Sequence, residues 1–193
     1  PTISYGVSVE HDPLFNTSIP KNTLASIIVS IGKSLVKQPH QSGQQPRTII
    51  LNGHHGNIQA LAEQQQFLIQ LLNKGILSGK TTNSARDRME DDIRFFNYWE
   101  FMKHEFDHAG FVETSLMLAI SDNVKMKKAK KGLITKGLSE KEIQRIGKLS
   151  TQPGGFPKVA KNGVWGDPTK ATKKDGEKFL AEIVRNLAKE CQT

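Results

Sequence analysis

A pair of histidines stands between a short apolar segment and a long helical pattern. Residues 48–51 have the β-branched and apolar composition of a buried strand, and residues 52–57, Asn-Gly-His-His-Gly-Asn, follow directly. Open α/β sheets place their ligand sites beyond the carboxyl ends of the strands. Imidazole is the commonest metal-binding side chain in proteins. His54 is therefore a candidate metal ligand, the alternative being a hydrogen-bonded loop residue.

A second polar segment lies at the start of a predicted helix. It contains Asp107 and His108, with Glu113 five residues after the histidine. Carboxylate and imidazole together suit zinc, manganese or iron. A histidine beside a metal can also act as general acid or base. The alternative is helix capping by Asp107, with Glu113 on the solvated surface.

One site made of His54, His108 and Glu113 would support metal-assisted hydrolysis. In that chemistry a metal-bound water loses a proton near pH 7 and attacks a carbonyl. Each catalytic metal needs about three protein ligands. Only His54 and Glu113 are good ligand candidates, because His108 is better suited to proton transfer, so the ligand set is incomplete.

The apolar spacing predicts the elements that must position these residues. A β-α-β unit with parallel strands is expected, since such crossovers are nearly always of that kind. The aromatic-rich residues 92–102 could line a pocket or fill the core. Helices are predicted at 22–37, 57–74, 109–121, 139–149 (with a Ser139 and Glu142 capping box) and 172–189, strands at 48–51 and near 76–82, and loops at 39–46, 154–157 and 163–168.

The composition predicts one domain over residues 1–193, in a reducing cytoplasm. Cys191 is the only cysteine, and no segment has the apolar length of a membrane helix or the pattern of a signal peptide. The net charge is +8, and five lysines fall within residues 125–131. Such a run is usually a solvated surface segment. A nucleic-acid partner is disfavoured because no zinc-finger, RNP-like or helix-turn-helix pattern is present, whereas a basic protein attracts anionic small molecules.

Four segments, in this order, resemble the creatininase (creatinine amidohydrolase) family, which includes archaeal formamidopyrimidine deformylases. The resemblance implies an α/β fold in three layers, α/β/α, with a mainly parallel sheet. It also implies two divalent metal ions (zinc, iron or manganese) and hydrolysis of a non-peptide C–N amide bond. The segments are residues 5–11 (Tyr-Gly-Val-Ser-Val-Glu-His), 52–57, 107–115 (Asp-His-Ala-Gly, then Glu-Thr-Ser at its end) and 163–168 (Gly-Val-Trp-Gly-Asp-Pro).

The resemblance implies a role for each polar residue that the residue types had suggested. His54 would bind metal, and Glu113 would bind metal or lie beside the metals. His108 resembles the family's proton-transfer histidine, with Asp107 supporting it.

Four further residues are candidates for substrate binding. Glu10 and His11 are expected to line the pocket. Asn52 either contacts substrate or, together with Asn57, braces the loop through hydrogen bonds. Trp165 either closes one wall of the site or orders the C-terminal loop.

Two departures from the family pattern matter. The family's Glu-x-His motif with its bridging aspartate is absent, since residues 10–12 (Glu-His-Asp) match a different family segment. We therefore expect the first strand and about half of the ligands to lie upstream of Pro1 or on another chain. Creatininases carry a glutamate where this chain has Gly56, which argues against creatinine as the substrate, and the Gly-Asn ending resembles the deformylase-like members.

These features lead to three hypotheses of function. The first is deformylation of a formamidopyrimidine ribonucleotide in riboflavin or deazaflavin synthesis. The second is creatinine hydrolysis or the trimming of a peptide in cofactor maturation. The third is a non-catalytic basic binding module with an incomplete metal site. The expected partners are a small substrate, with a phosphorylated one favoured by the basic charge, and further copies of the chain in a homo-oligomer, with no membrane.

Overall fold

The computed structural model of the chain describes residues 2–14, 16–36, 48–64, 93–105 and 107–192. They fall into two compact units. Unit 1 comprises Pro1–Ser8 and Thr17–Asn97, and unit 2 comprises Val9–Asn16 and Tyr98–Thr193. The predicted loop at 39–46, the second half of the helix at 57–74 and the strand near 76–82 lie outside the described residues.

Unit 1 contains a pair of parallel strands. Strand β1 is Thr48–Asn52 and strand β2 is Ile93–Asn97, and Ile50 lies opposite Phe95. β1 agrees with the predicted strand, and the parallel pairing agrees with the expected sheet. The sequence did not predict β2, because its adjacent aromatic residues break the alternation that marks a half-buried strand. Aromatic residues nevertheless favour a pleated, half-buried surface.

The core of unit 1 forms where two helices present their apolar faces. Helix α1 is Lys21–Val36, within one residue of its predicted bounds, and residues 58–64 form the described part of helix α2. On its predicted apolar face Leu24 and Ile28 are buried, and Ile27 and Ile31 are half-buried, as expected from the 3.6-residue spacing. The residues of this core are Leu24, Ile28, Val29, Ala60 and Leu61, against which Ile50 and Phe95 of the sheet also pack.

Unit 2 is mainly helical. Its helices are α3 (Phe111–Ile120), α4 (Glu140–Ser150), α5 (Phe156–Val159) and α6 (Lys173–Gln192). The predicted capping box of α4 is confirmed. The short α5 replaces part of the loop predicted at 154–157, where Pro157 in the first turn already has a backbone angle compatible with a helix. No helix in the described ranges is long and apolar enough to span a membrane.

Helices α3 and α6 approach closely at Gly176. A Cβ atom there would collide with the backbone of Ser115 on α3. Ser115 is fully buried, and its hydroxyl accepts a hydrogen bond of 3.2 Å from the Thr172 amide just before α6 begins. The start of α6 is thus held against α3, the helix that follows the predicted Asp107–His108 segment.

Candidate functional site

His54 is held by Val7 and Ser8, close to the start of the described chain. Its Nε2 lies 2.8 Å from the Val7 carbonyl oxygen and 2.9 Å from the Ser8 hydroxyl. Because a carbonyl oxygen only accepts, the hydrogen-bond network puts the ring proton on Nε2 and the lone pair on Nδ1. Metal-binding histidines commonly donate their other ring N–H to such a carbonyl. The orientation of the His54 N–H is therefore like that of a metal-binding histidine.

Asn52 and Asn57 brace this loop through hydrogen bonds, which is one of the two roles predicted for Asn52. The Asn52 side-chain oxygen accepts hydrogen bonds from the His54 amide (3.0 Å) and from the Asn57 side-chain amide (3.2 Å). Its own NH₂ donates to Asn97 on β2, at 2.9 Å. Asn57 in turn accepts from the Val7 amide at 2.8 Å. Since Asn52 is only 4 % exposed, a contact of its amide with substrate stays a prediction.

Two histidines of unit 2 stack on each other. The imidazoles of His11 and His108 have centroids 4.7 Å apart and planes inclined by 28°. Phe156 packs against both rings, at 4.8 Å from His11 and 4.6 Å from His108. A carboxylate oxygen of Glu10 lies 3.4 Å from the His11 Nε2, and each of these two side chains is 13 % exposed. Three predicted site residues (Glu10, His11 and His108) are thus brought together.

The backbone of His108 is fixed by Trp165. The His108 amide donates to the Trp165 carbonyl at 3.0 Å, and the Trp165 amide donates back to the His108 carbonyl at 2.8 Å. The same loop continues the pairing on its other side, where the Leu133 amide donates to the Val164 carbonyl at 2.8 Å. Trp165 therefore orders the C-terminal loop, as one interpretation had it, and through that loop it positions His108.

Asp107 caps helix α3. Its two carboxylate oxygens accept hydrogen bonds from the amides of Val112 (2.8 Å) and Glu113 (3.1 Å). Burial raises the pKa of Asp107, while the backbone hydrogen bonds oppose that shift. Asp107 thus accepts from helix amides as the capping alternative required, although the N-cap position itself is Gly110. The other part of that alternative, Glu113 on the solvated surface, is not observed, because Glu113 is half-buried.

Glu113 holds the backbone that follows His108. One carboxylate oxygen accepts from the Ala109 amide at 2.7 Å, and the other accepts from the Tyr98 hydroxyl at 3.3 Å. Ala109 has a φ of 49°, in the left-handed region that costs a residue with a side chain about 1–2 kcal/mol. Burial and the nearby Glu113 charge raise the pKa of Tyr98, so its hydroxyl stays protonated and can donate. Glu113 thus stabilises a strained loop, and its role as a metal ligand stays a prediction.

The sequence did not single out two residues of this cluster. Tyr98 lay within an aromatic run that was read as pocket or core, and Phe156 lay in a predicted loop. A buried aromatic residue next to Gly-Gly is a weak local signal, because its partners come from distant parts of the chain. Phe156 belongs with His108 because it packs on His11 and His108, and Tyr98 because it donates to Glu113. These contacts are visible only in the tertiary structure.

The described residues do not complete a metal centre. No group of three or more histidine, cysteine, aspartate or glutamate side chains in the described part of the chain could hold a metal ion. The residues present therefore do not fit the predicted two-ion centre as a set, although the hydrogen bonds of His54 suit a single ligand.

The chain is similar to known proteins in both sequence and fold. The family model described as creatinine amidohydrolase matches residues 1–191, and the chain belongs to this creatininase family. A solved creatinine amidohydrolase superposes with a TM-score of 0.69 at 21 % identity, covering 98 % of this chain and 72 % of that one. A putative creatinine amidohydrolase from Bacteroides fragilis gives 0.64 at 24 % identity, covering 95 % and 66 %. The predicted creatininase-like α/β fold is confirmed.

Curated relatives carry a more particular name. The mycofactocin precursor peptide peptidase of Mycolicibacterium smegmatis is 30 % identical over 192 residues, which cover 97 % of this chain and 64 % of that protein. The peptidase of the same name from Mycobacterium tuberculosis is 28 % identical over 189 residues, covering 95 % and 61 %. The chain thus spans somewhat under two thirds of the length of these relatives.

Proposed function

We propose that this protein is a hydrolase that trims a precursor peptide. The observation that carries the proposal is the similarity, over at least 95 % of the chain, to relatives named mycofactocin precursor peptide peptidase. This supports the peptide-trimming alternative better than formamidopyrimidine deformylation, which had been the leading prediction. The scissile bond would then be an amide in a peptide rather than a non-peptide C–N bond.

His108 is the proposed proton-transfer residue. Amide hydrolysis releases an amine, which must receive a proton as it leaves, and histidine is the commonest side chain for such a transfer. The His11 ring, the Phe156 ring and the backbone of Trp165 all contact His108. These contacts restrict the position of the imidazole, which proton transfer at a fixed leaving group requires.

A divalent metal is proposed as cofactor, with His54 as one ligand. Solved creatininases with this fold are described as a manganese form and as a zinc–zinc form. The N–H of His54 faces a backbone carbonyl, which is the arrangement that orients a metal-binding imidazole. Among the described residues, His54 is the one metal ligand that we propose.

The substrate test compares three candidates in parallel. The protein, supplied with zinc or manganese, is incubated with a synthetic mycofactocin precursor peptide, with a formamidopyrimidine nucleotide and with creatinine, and products are identified by mass spectrometry. We expect cleavage of the peptide alone, and a loss of rate by about 10²–10⁴-fold in His108→Ala. Formate release with an intact peptide would instead support deformylation, and no turnover of any of the three would support the binding-module hypothesis.

The metal test is elemental analysis of protein purified without chelator. His54→Ala should retain clearly less metal than the native protein. His104→Ala is the matched control. His104 is exposed, its ring centroid lies 4.6 Å from that of Phe179, and it is not part of the histidine loop at residues 52–57. Equal metal content in the native protein and in His54→Ala would refute the ligand assignment while leaving the substrate test unaffected.

A further inference from the structure

A cavity of about 670 Å³ lies in unit 2, beside the segment of five lysines. One wall is the stretch around Met126–Lys128, which forms a 3₁₀ turn. The rest of the lining comes from Ala109 just before α3, from Thr114 in α3, and from Asn162, Val164 and Pro168 in the C-terminal loop. The volume falls within the range of small-ligand pockets.

The charged residues that line this cavity are all basic. Four lysines line it (Lys125, Lys127, Lys128 and Lys130), and its lining includes no acidic residue. All four are exposed. Within the described ranges, none of them forms an ion pair with a carboxylate. Four ammonium groups around one concavity raise the local concentration of anions.

The cavity borders the loop that carries His108. Ala109, which follows His108 directly, lines the cavity, and its amide is fixed by Glu113. Val164, which precedes Trp165, lines it as well. The backbone next to His108 and the backbone next to its partner Trp165 therefore both form part of the cavity wall. A ligand in the cavity would contact the segments that position His108.

We propose that this lysine-lined cavity binds carboxylate side chains of an acidic peptide segment, next to the bond that is cleaved. The inference rests on the proposed peptide-trimming function and specifies its substrate class. Ammonium groups bind carboxylates through charge-assisted hydrogen bonds. Hydrogen-bonding groups are also present in the lining, in Thr114 and Asn162, and could bind the peptide backbone.

An acidic peptide fits this cavity better than a nucleic acid. Recognition of a duplex buries about 1,000–2,500 Å² of protein surface, which a single cavity of this size does not offer. Single-stranded nucleic acid is bound by grooves in which aromatic rings stack on the bases. The cavity lining contains no aromatic residue.

The test is a binding measurement, which needs no turnover. Two fluorescein-labelled heptapeptides are compared by fluorescence anisotropy: one alternates glycine and glutamate, and the other alternates glycine and glutamine. The cavity variant replaces Lys125, Lys127, Lys128 and Lys130 by glutamine. The matched control variant carries the same charge change at Lys141, Lys148, Lys174 and Lys189, which are exposed and lie outside the cavity.

The native protein and the control variant should bind the glutamate peptide about tenfold more tightly than the glutamine peptide, as expected for several exposed charge pairs. The cavity variant should lose this preference, and added salt should weaken it in the native protein. Equal affinity for both peptides would overturn the proposal, and so would an equal loss in the control variant. Tighter, cavity-dependent binding of a labelled oligonucleotide would replace it by a nucleic-acid site.

Failure of this proposal can be told apart from failure of the proposed function. The substrate test above detects peptide cleavage whatever the charge of the segment beside the cleaved bond. Cleavage of the precursor peptide by the cavity variant at the native rate would leave the peptidase assignment standing and would reject the cavity as a substrate site.

Discussion

The imidazole of His108 stacks on that of His11, with 4.7 Å between the ring centroids. The two residues are 97 positions apart in the sequence. A carboxylate oxygen of Glu10 lies 3.4 Å from the His11 Nε2. The stacked His11 ring therefore restricts the orientation of the His108 ring.

Replacing His11 should impair turnover more than substrate binding. We expect His11→Ala to lower kcat of the proposed peptidase by about 10–100-fold with a small change in KM, because a misplaced proton-transfer group loses rate on this scale. The acid or base limb of the kcat–pH profile should also move, since the charge environment of His108 changes. Steady-state kinetics between pH 5 and 9 would measure both.

Two variants separate positioning from simple folding effects. His11→Phe keeps a ring on His108 and should restore part of kcat, though not the native pH profile. His104→Ala removes another histidine that packs on a phenylalanine in unit 2 and should leave kcat unchanged. An unaltered pH profile in both His11 variants would contradict the positioning role.

Asp107 should contribute to stability as the cap of α3. Asp107→Ala leaves two helix amides without their acceptor and should lower the free energy of unfolding by about 1–2 kcal/mol. Urea unfolding followed by circular dichroism would measure the loss. Asp122→Ala, at an exposed turn, is the control and should change little. An equal loss in both variants would argue against a capping role.

The loss of stability caused by Asp107→Ala should depend on pH. Burial raises the pKa of Asp107 in the folded protein, so the folded state binds this proton more tightly than the unfolded state. The protonated Asp107 carboxyl therefore adds to the free energy of unfolding below the pKa that this group has in the unfolded chain. This contribution is lost as the pH rises through its pKa in the folded protein. The destabilisation caused by Asp107→Ala should therefore be larger near pH 4 than at pH 7. A destabilisation that grows with pH would show that the shift has the opposite sign.

The contribution of Glu142 to stability should have the opposite pH dependence to that of Asp107. Its hydrogen bonds with the Ser139 hydroxyl and amide lower its pKa. Stability linked to the charged form is therefore present above the unfolded pKa and is lost as the pH falls through the folded pKa. Glu142→Gln, which can still form a capping box, should lower Tm at pH 7 and leave it nearly unchanged at pH 3. An equal decrease in Tm at both values would contradict this.

Two glycines within helices should respond in opposite directions to alanine. A Cβ at Gly176 would collide with the backbone of Ser115, whereas a Cβ at Gly147 would meet nothing within 4 Å. We expect Gly176→Ala to lower the free energy of unfolding by about 1–3 kcal/mol and Gly147→Ala to raise it by about 0.5–1 kcal/mol. Thermal unfolding would measure both, and a neutral Gly176→Ala would show that α3 and α6 can move apart.

The local features of this chain were accessible from its sequence. The bounds of α1 and α3, the Ser139–Glu142 capping box and the histidine loop after β1 all depend on residues within a few positions of one another. Apolar periodicity, capping and turn chemistry act over that distance. The motif resemblance also led to the family that the comparison confirmed.

Tertiary structure alone decided how these pieces are used. The stacking of His11 on His108, the pairing of Trp165 with His108 and the pairing of β2 with β1 join residues 45 to 97 positions apart in sequence. No short-range pattern encodes such contacts, because they depend on how whole elements pack. The two carboxylates are an example: the sequence predicts chemical roles for Asp107 and Glu113, and in the fold both accept hydrogen bonds from backbone amides around His108.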